Sequence, residues 1–418
     1  MATEAAGARS DTLAARGAGM PSRDALRAAA AWTLAAILLV LTYRVDGQFA
    51  RFWAFGLAFG FVLQRGRFCF ASAFRDLFLL GHGRNMKGVL LGLAVASVGF
   101  AVVMARQVPI TDLGFFPPTA NVLPAGAHTA LGGLLFGVGM VLAGGCVSGS
   151  LYRMGEGYLA SWVAFAGLMG GLLVSGYTWN WWWDVSMSTA PRVWLPVSLG
   201  HAGALVVTLL ALAAVFVVVL WIEHRAGIVV PPSRAPEEVS SSVAGDLRAL
   251  GRKVFVHGWP ITIAGAVLGG LNVLLFTAQE PWGFTGEVGR WSGGLAGLFG
   301  AAPPPLPEGA TELPGCVLVL SDGPLNHMTF MVVGMWVGSF AAALGAGEFK
   351  LRVPAQRVRY AQSLGGGVLM GYGAGIALGC TIGAFFSSIP SLAINGWVFA
   401  VFLGAGAWLG TLIIRRIA

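Results

Sequence analysis

The chain has 418 residues, of which 56% are hydrophobic and only 11% charged, and its mean hydropathy is +0.75. A soluble protein of this length needs a far more charged surface, so the composition excludes one and indicates an all-α, polytopic integral membrane protein. The formal net charge of +8 does not point to nucleic acid, because no lysine or arginine cluster is interleaved with aromatics and the basic residues sit in loops.

Residues 1–27 are polar and rich in Ala, Gly and Arg, and read as a mobile tail. Apolar runs of about 17 to 25 residues are long enough to cross a bilayer. Candidates centre on 28–43, 52–72, 88–105, 130–150, 159–177, 197–222, 260–277, 327–346, 363–382 and 393–413. The first run is followed by no A-x-A-like cleavage site before Tyr43-Arg44, and is read as a retained helix. The run "WNWWWD" at 179–184 reads as an interfacial aromatic belt. Several spans are glycine-rich, which predicts that some are broken or half-helices.

Residues 223–258, containing "VVPPSRAPEEVSSSV", divide the chain into a first membrane half at 28–222 and a second at 259–418. The halves resemble each other. Laying 131–149 on 365–383 at a constant offset makes nine positions identical, among them Gly145/Gly379, Cys146/Cys380 and Gly149/Gly383. Arg75, Arg84 and Lys87 form one basic cluster, the 223–258 loop a second, and Lys350, Arg352, Arg357 and Arg359 a third, whereas 107–128 and 301–324 carry neither residue type. With the basic loops in the cytoplasm, the two similar strings run in opposite directions. That is the pattern of inverted repeats, which meet at the membrane midplane, where Cys146 and Cys380 are expected.

The four cysteines, Cys69, Cys146, Cys316 and Cys380, are far apart with no C-x-x-C pair, which argues against a disulfide framework or a zinc ribbon. Neither a metal nor a cofactor is expected. Cys69, Cys146 and Cys380 each stand in an apolar segment at an expected helix break, with Gly145 and Gly379 directly before two of them. A broken helix presents N–H groups and a positive dipole end to an anion. A thiol adds a weak, soft donor that contacts a sulfur-bearing anion without trapping it. Cys316 lacks that context and reads as structural. Arg67 flanks Cys69, and Arg153 with Glu156 follows Cys146; being three apart, the latter two either pair with one another or contact the solute. Glu280, Glu287 and Arg290 carry the same ambiguity in the second half. No G-x-x-x-x-G-K-[ST] sequence occurs, so the chain has no P-loop for ATP.

Three blocks, "GFVLQRGRFCFASAFRD" (60–76), "GGLLFGVGMVLAGGCVSGSLYRMGEG" (132–157) and "GGGVLMGYGAGIALGCTIG" (365–383), resemble the signature blocks of the YeeE/YedE family of sulfur-transport membrane proteins. The resemblance implies a bacterial inner-membrane importer of thiosulfate, its path lined at the positions of Cys69, Cys146 and Cys380, working beside a small cytoplasmic sulfur carrier of the TusA type. Some second-half segments, "EPWGFTGEVGRW" and "FFSSIP", look closer to the selenium-linked branch of the family, so a selenium compound is the alternative substrate. A membrane thiol oxidoreductase or sulfurtransferase is the alternative of a different class; it calls for a base or a resolving cysteine, and no histidine lies close in sequence to the three cysteines.

Overall fold

The computed structural model describes residues 22–111, 115–227, 251, 253–310, 313 and 325–417. Cys316, the tail up to residue 21 and most of the linker lie outside the described residues.

The chain order follows the apolar runs. The first half holds α1 (Ser22–Val45), α2 (Gly47–Gly66), α3 (Phe70–Leu80), α4 (Arg84–Gln107), α5 (Ala127–Ala143), α6 (Val147–Gly155), α7 (Leu159–Trp182) and α8 (Pro196–Arg225). The second holds α9 (Ile261–Ala278), α10 (Thr285–Gly297), α11 (His327–Gly345), α12 (Arg357–Ile376) and α13 (Ile394–Ile417), with π-helical turns at Trp183–Met187 and Thr381–Ser387. No strand forms among the described residues. Eight helices there are long and apolar enough to cross a membrane, or nine if α12 and the π turn after it, bent by 50°, form one span. This is a multi-pass membrane protein.

The run expected at 52–72 is split at the break expected beside Cys69 into α2 and α3, because Arg67 takes a left-handed conformation (φ 47°) and its amide bonds back to Gln64. Helix α10 was not expected at all: its 13 residues are glycine-rich and carry Glu287 and Arg290, so no apolar run announces it. The tryptophan run is also only half a belt. Trp181 is 57% exposed, but Trp179 is fully buried and Trp182 donates to the Tyr372 hydroxyl at 3.0 Å.

Glycine rows set how the helices meet. A Cβ on Gly56 would touch Met331 and one on Gly60 would touch Met335, so α2 and α11 run in the same direction. By the same test α4 runs with α9 (Gly88 on Ile261, Gly92 on Gly265), α5 with α13 (Gly133 on Phe399, Gly137 on Leu403) and α7 with α12 (Gly167 on Leu364, Gly171 on Val368). Helices α5 and α12 instead run antiparallel: Gly132 meets Gly373 while Gly139 meets Gly366. Without a hydrophobic force between helices in lipid, such close backbone approach is what holds a bundle together.

At Gly60 an added methyl would lie 2.0 Å from the Met335 carbonyl oxygen, a backbone atom that cannot swing aside. Gly60→Ala is expected to destabilise the protein by about 1–3 kcal/mol despite the better helix propensity of alanine. Gly270→Ala, with nothing within 4 Å of the added carbon, is expected to be neutral. Thermal melting of both variants in detergent checks the pair.

Candidate functional site

The expected break residues come together as three helix starts. Cys69 is the N-cap of α3, Cys146 of α6, and Cys380 of the π turn at Thr381–Ser387, all three in extended backbone and all buried. Each carbonyl accepts the first bond of the helix that follows, from Ala73, Ser150 and Ala384 respectively. Two residues before each cysteine stands a left-handed residue: Arg67 (φ 47°), Gly144 (φ 75°) and Leu378 (φ 58°). Gly144, within the expected "GGC" break, and Leu378 turn the chain, and Gly145 and Gly379 fill the step between turn and thiol. For Arg67 and Leu378 the left-handed conformation costs on the order of 1–3 kcal/mol, strain of the kind held at working sites.

Two of the sulfurs are engaged in the same manner. Gly149 N–H donates to Cys146 Sγ and Ile382 N–H to Cys380 Sγ, both at 3.4 Å, and the Ser148 hydroxyl lies 3.4 Å from Cys146 Sγ. A thiol that accepts from a backbone N–H keeps its own S–H to donate. Cys69 makes no cap bond of this kind and instead meets Cys146 side chain to side chain. The two flank Gly149 so tightly that a Cβ there would lie 2.7 Å from Cys69 Sγ and 3.3 Å from Cys146 Sγ. Sequence reasoning placed both residues on the path without showing that they touch.

Cys380 is set apart along the bundle. Ala143, at the end of α5, packs beside Gly366, and Ala377, at the end of α12, packs beside Gly132. At 1.5 Å per residue this antiparallel overlap puts the two break points about 16 Å apart along the helices. The turn before Cys380 is roofed by a separate cluster in which Trp179, Trp182, Ala310 and Leu313 pack with Ile376 and Leu378. Its π turn is held through Gly383 O, which accepts from Asn121 at 3.1 Å and Ser388 at 2.9 Å.

Beside the Cys69–Cys146 pair opens a polar pocket of about 320 Å³, lined by Arg67, Tyr152, Arg153, Glu156, Tyr158, Glu348 and Arg352. The expected Arg67, Arg153 and Glu156 all lie in it. Arg153 and Glu156 do not pair, although their spacing allows it. The Arg153 guanidinium donates to Gly144 O at the break and to the Tyr152 hydroxyl, while Glu156 accepts from Gln64 Nε2 at 3.1 Å. In the second half the pairing alternative holds instead: Glu287 and Arg290 form an ion pair at 2.6 Å, closed by Thr329, Asn326 and Trp291.

Glu348 and Arg352 were missed as site residues, because the sequence showed them only as part of a basic loop. Glu348 takes Arg65 at 2.6 Å and Arg67 at 3.0 Å. Arg352 bonds the carbonyls of Glu156 (2.9 Å) and Glu348 (3.0 Å) and stacks over the Tyr158 ring. Four guanidiniums thus surround two carboxylates, an excess of positive charge that suits a small anion. Burial pushes the Glu156 carboxyl above the usual carboxylate range. No group of three or more His, Cys, Asp or Glu that could hold a metal occurs among the described residues.

A helical bundle with broken spans, buried thiols and a cationic pocket defines a membrane transport protein. The family model described as sulphur transport matches residues 65–409, and the chain belongs to that family; it is a transporter rather than an enzyme. It is 31% identical over 370 residues to the thiosulfate transporter TsuA of Spirochaeta thermophila, covering 86% of this chain and 97% of that protein. It is 30% identical to the thiosulfate transporter TsuA of Escherichia coli over 86% of this chain and 92% of the relative. The probable transporter YedE of Escherichia coli matches at 36% over 37% of this chain and 39% of its own length.

Proposed function

We propose that the protein imports thiosulfate, or a closely related small sulfur anion, across the bacterial inner membrane. Three buried cysteines at three helix breaks carry this proposal, together with the names of the two TsuA relatives. With the basic loops in the cytoplasm, Cys380 lies toward the outer face and the Cys69–Cys146 pair toward the inner one. The anion then meets Cys380 first, passes the paired thiols and reaches the arginine pocket. At each thiol the terminal sulfur of thiosulfate accepts a soft S–H contact that the hard oxygens of sulfate do not match, and backbone N–H groups near the break offset its charge. Release to a cytoplasmic carrier of the TusA type would follow from the pocket.

The halves 28–222 and 259–418 are proposed as inverted repeats. Exchanging α2 with α9, α4 with α11, α5 with α12 and α7 with α13 leaves the helix pairings unchanged. The exchange also turns the Gly132–Gly373 contact into Gly366–Gly139, the second contact of the antiparallel pair. A two-fold axis in the membrane plane produces such swaps.

Driving a dianion into a cell held at −100 mV costs about 4.6 kcal/mol, at about 2.3 kcal/mol per charge. Uptake therefore needs a compensating ion or rapid consumption inside. The test is uptake of sulfur-labelled thiosulfate into proteoliposomes of the purified chain, with unlabelled thiosulfate, sulfate and selenite as competitors. Thiosulfate is expected to compete and sulfate not to. Uptake of labelled selenite in a parallel run, with none of thiosulfate, would replace thiosulfate with a selenium anion, and no uptake of either would refute import by this chain.

A further inference from the structure

The arginine pocket holds its two carboxylates unequally. Glu348 is neutralised by Arg65 and Arg67. Glu156 is 8% exposed and lines the pocket, yet no lysine or arginine among the described residues stands within ion-pair distance of its carboxylate. Among the described residues the one hydrogen bond to that carboxylate is from the neutral Gln64 amide. Two guanidiniums that line the same pocket spend their bonds elsewhere: Arg153 on Gly144 O and Tyr152, Arg352 on the carbonyls of Glu156 and Glu348. Those cations keep their charge for an incoming anion, and Glu156 then faces that anion across the same cavity. It also caps the C-terminal end of α6, where the helix dipole is negative.

We propose that Glu156 takes up a proton as the anion fills this pocket, so that anion and proton move together. This rests on the reading of the pocket as part of the thiosulfate path. Two negative groups in one buried cavity repel, and protonating the unpaired carboxylate relieves that repulsion. The charged and titratable groups that face Glu156 are Arg65 and Arg67 from the end of α2, Tyr152 and Arg153 from α6, Tyr158 beyond it, and Glu348, Lys350 and Arg352 from the segment after α11. The pocket lining includes no histidine.

The sign follows from linkage. Burial already holds the carboxyl above its ordinary range, chiefly by desolvation, and Glu348 adds to this while Arg153 and Arg352 oppose it. A bound dianion raises it further, so binding tightens as pH falls through the window between the empty and occupied values and is flat below that window. One linked proton limits the change to about tenfold per pH unit.

The experiment measures thiosulfate uptake in proteoliposomes at pH 6 and pH 8, with a trapped pH-sensitive dye reporting the lumen. Wild type is expected to show an apparent affinity several-fold tighter at pH 6, with acidification of the lumen during import. Glu156→Gln keeps the acceptor for Gln64 and is expected to transport with pH-independent affinity and no acidification, while Glu156→Asp restores the pH dependence. Thiosulfate uptake by wild type with equal affinity at both pH values and no acidification would overturn the proposal and leave import standing. Persistent pH dependence in Glu156→Gln would overturn it by placing the proton elsewhere. Absence of thiosulfate uptake at either pH would remove import, and this proposal with it.

Discussion

Gly149→Ala is expected to abolish thiosulfate uptake while leaving the protein folded. The position is the third residue of α6, in an ordinary helical conformation, so alanine costs the backbone nothing and improves helix propensity by about 1 kcal/mol. The space is the obstacle. The added methyl would sit 2.7 Å from Cys69 Sγ and 3.3 Å from Cys146 Sγ, inside the gap between the two thiols. Either the sulfurs swing away from each other or the methyl fills the place where a solute would meet them. Both outcomes block the path without disturbing the glycine seams between long helices. Gly145→Ala is the control, since its added carbon would make only ordinary contacts at 3.5 Å. The comparison requires labelled uptake beside the melting temperature and elution profile of each variant. A Gly149→Ala protein that transports at the wild-type rate would show that solute does not pass between these thiols.

Cys146→Ala and Cys380→Ala are each expected to lower uptake by about tenfold or more, while Cys316→Ala leaves it unchanged. Tenfold corresponds to about 1.4 kcal/mol, the scale of one hydrogen bond withdrawn from a buried solute. Cys146→Ala also removes the acceptor for Gly149 N–H and the hydrogen-bond partner of the Ser148 hydroxyl, and so loosens the start of α6. Cys146→Ser separates the two causes. A hydroxyl preserves the cap but is a hard donor, so the serine variant is expected to stay as stable as wild type and still lose preference for thiosulfate over sulfate. Normal uptake in both Cys146→Ala and Cys380→Ala would sink the thiol-lined path even with transport established.

Much of this architecture was legible residue by residue. The apolar runs named the long helices, because crossing hydrocarbon demands that backbone bonds be closed within one segment. The glycines before Cys146 and the "GRFCF" around Cys69 announced breaks, since a helix that must turn needs a residue tolerant of positive φ. At Arg67 and Leu378 that signal was weak, because there a non-glycine residue bears the strain. Helix α10 gave no signal, being short, glycine-rich and stabilised by a Glu287–Arg290 pair that closes on Thr329 and Asn326 of another segment.

By itself, then, the sequence determined that this is an α-helical membrane protein whose thiols stand at interruptions of its helices. Those are local properties, set by hydropathy over one span and by torsions over a few residues. Only the tertiary structure decided that Cys69 and Cys146 touch across Gly149, that Arg153 turns to Gly144 instead of to Glu156, and that Glu348 and Arg352 complete the pocket. These groups come from three distant segments, brought together by glycine-to-backbone approach between helices. That approach depends on which faces meet, a long-range choice that no single stretch of the chain encodes.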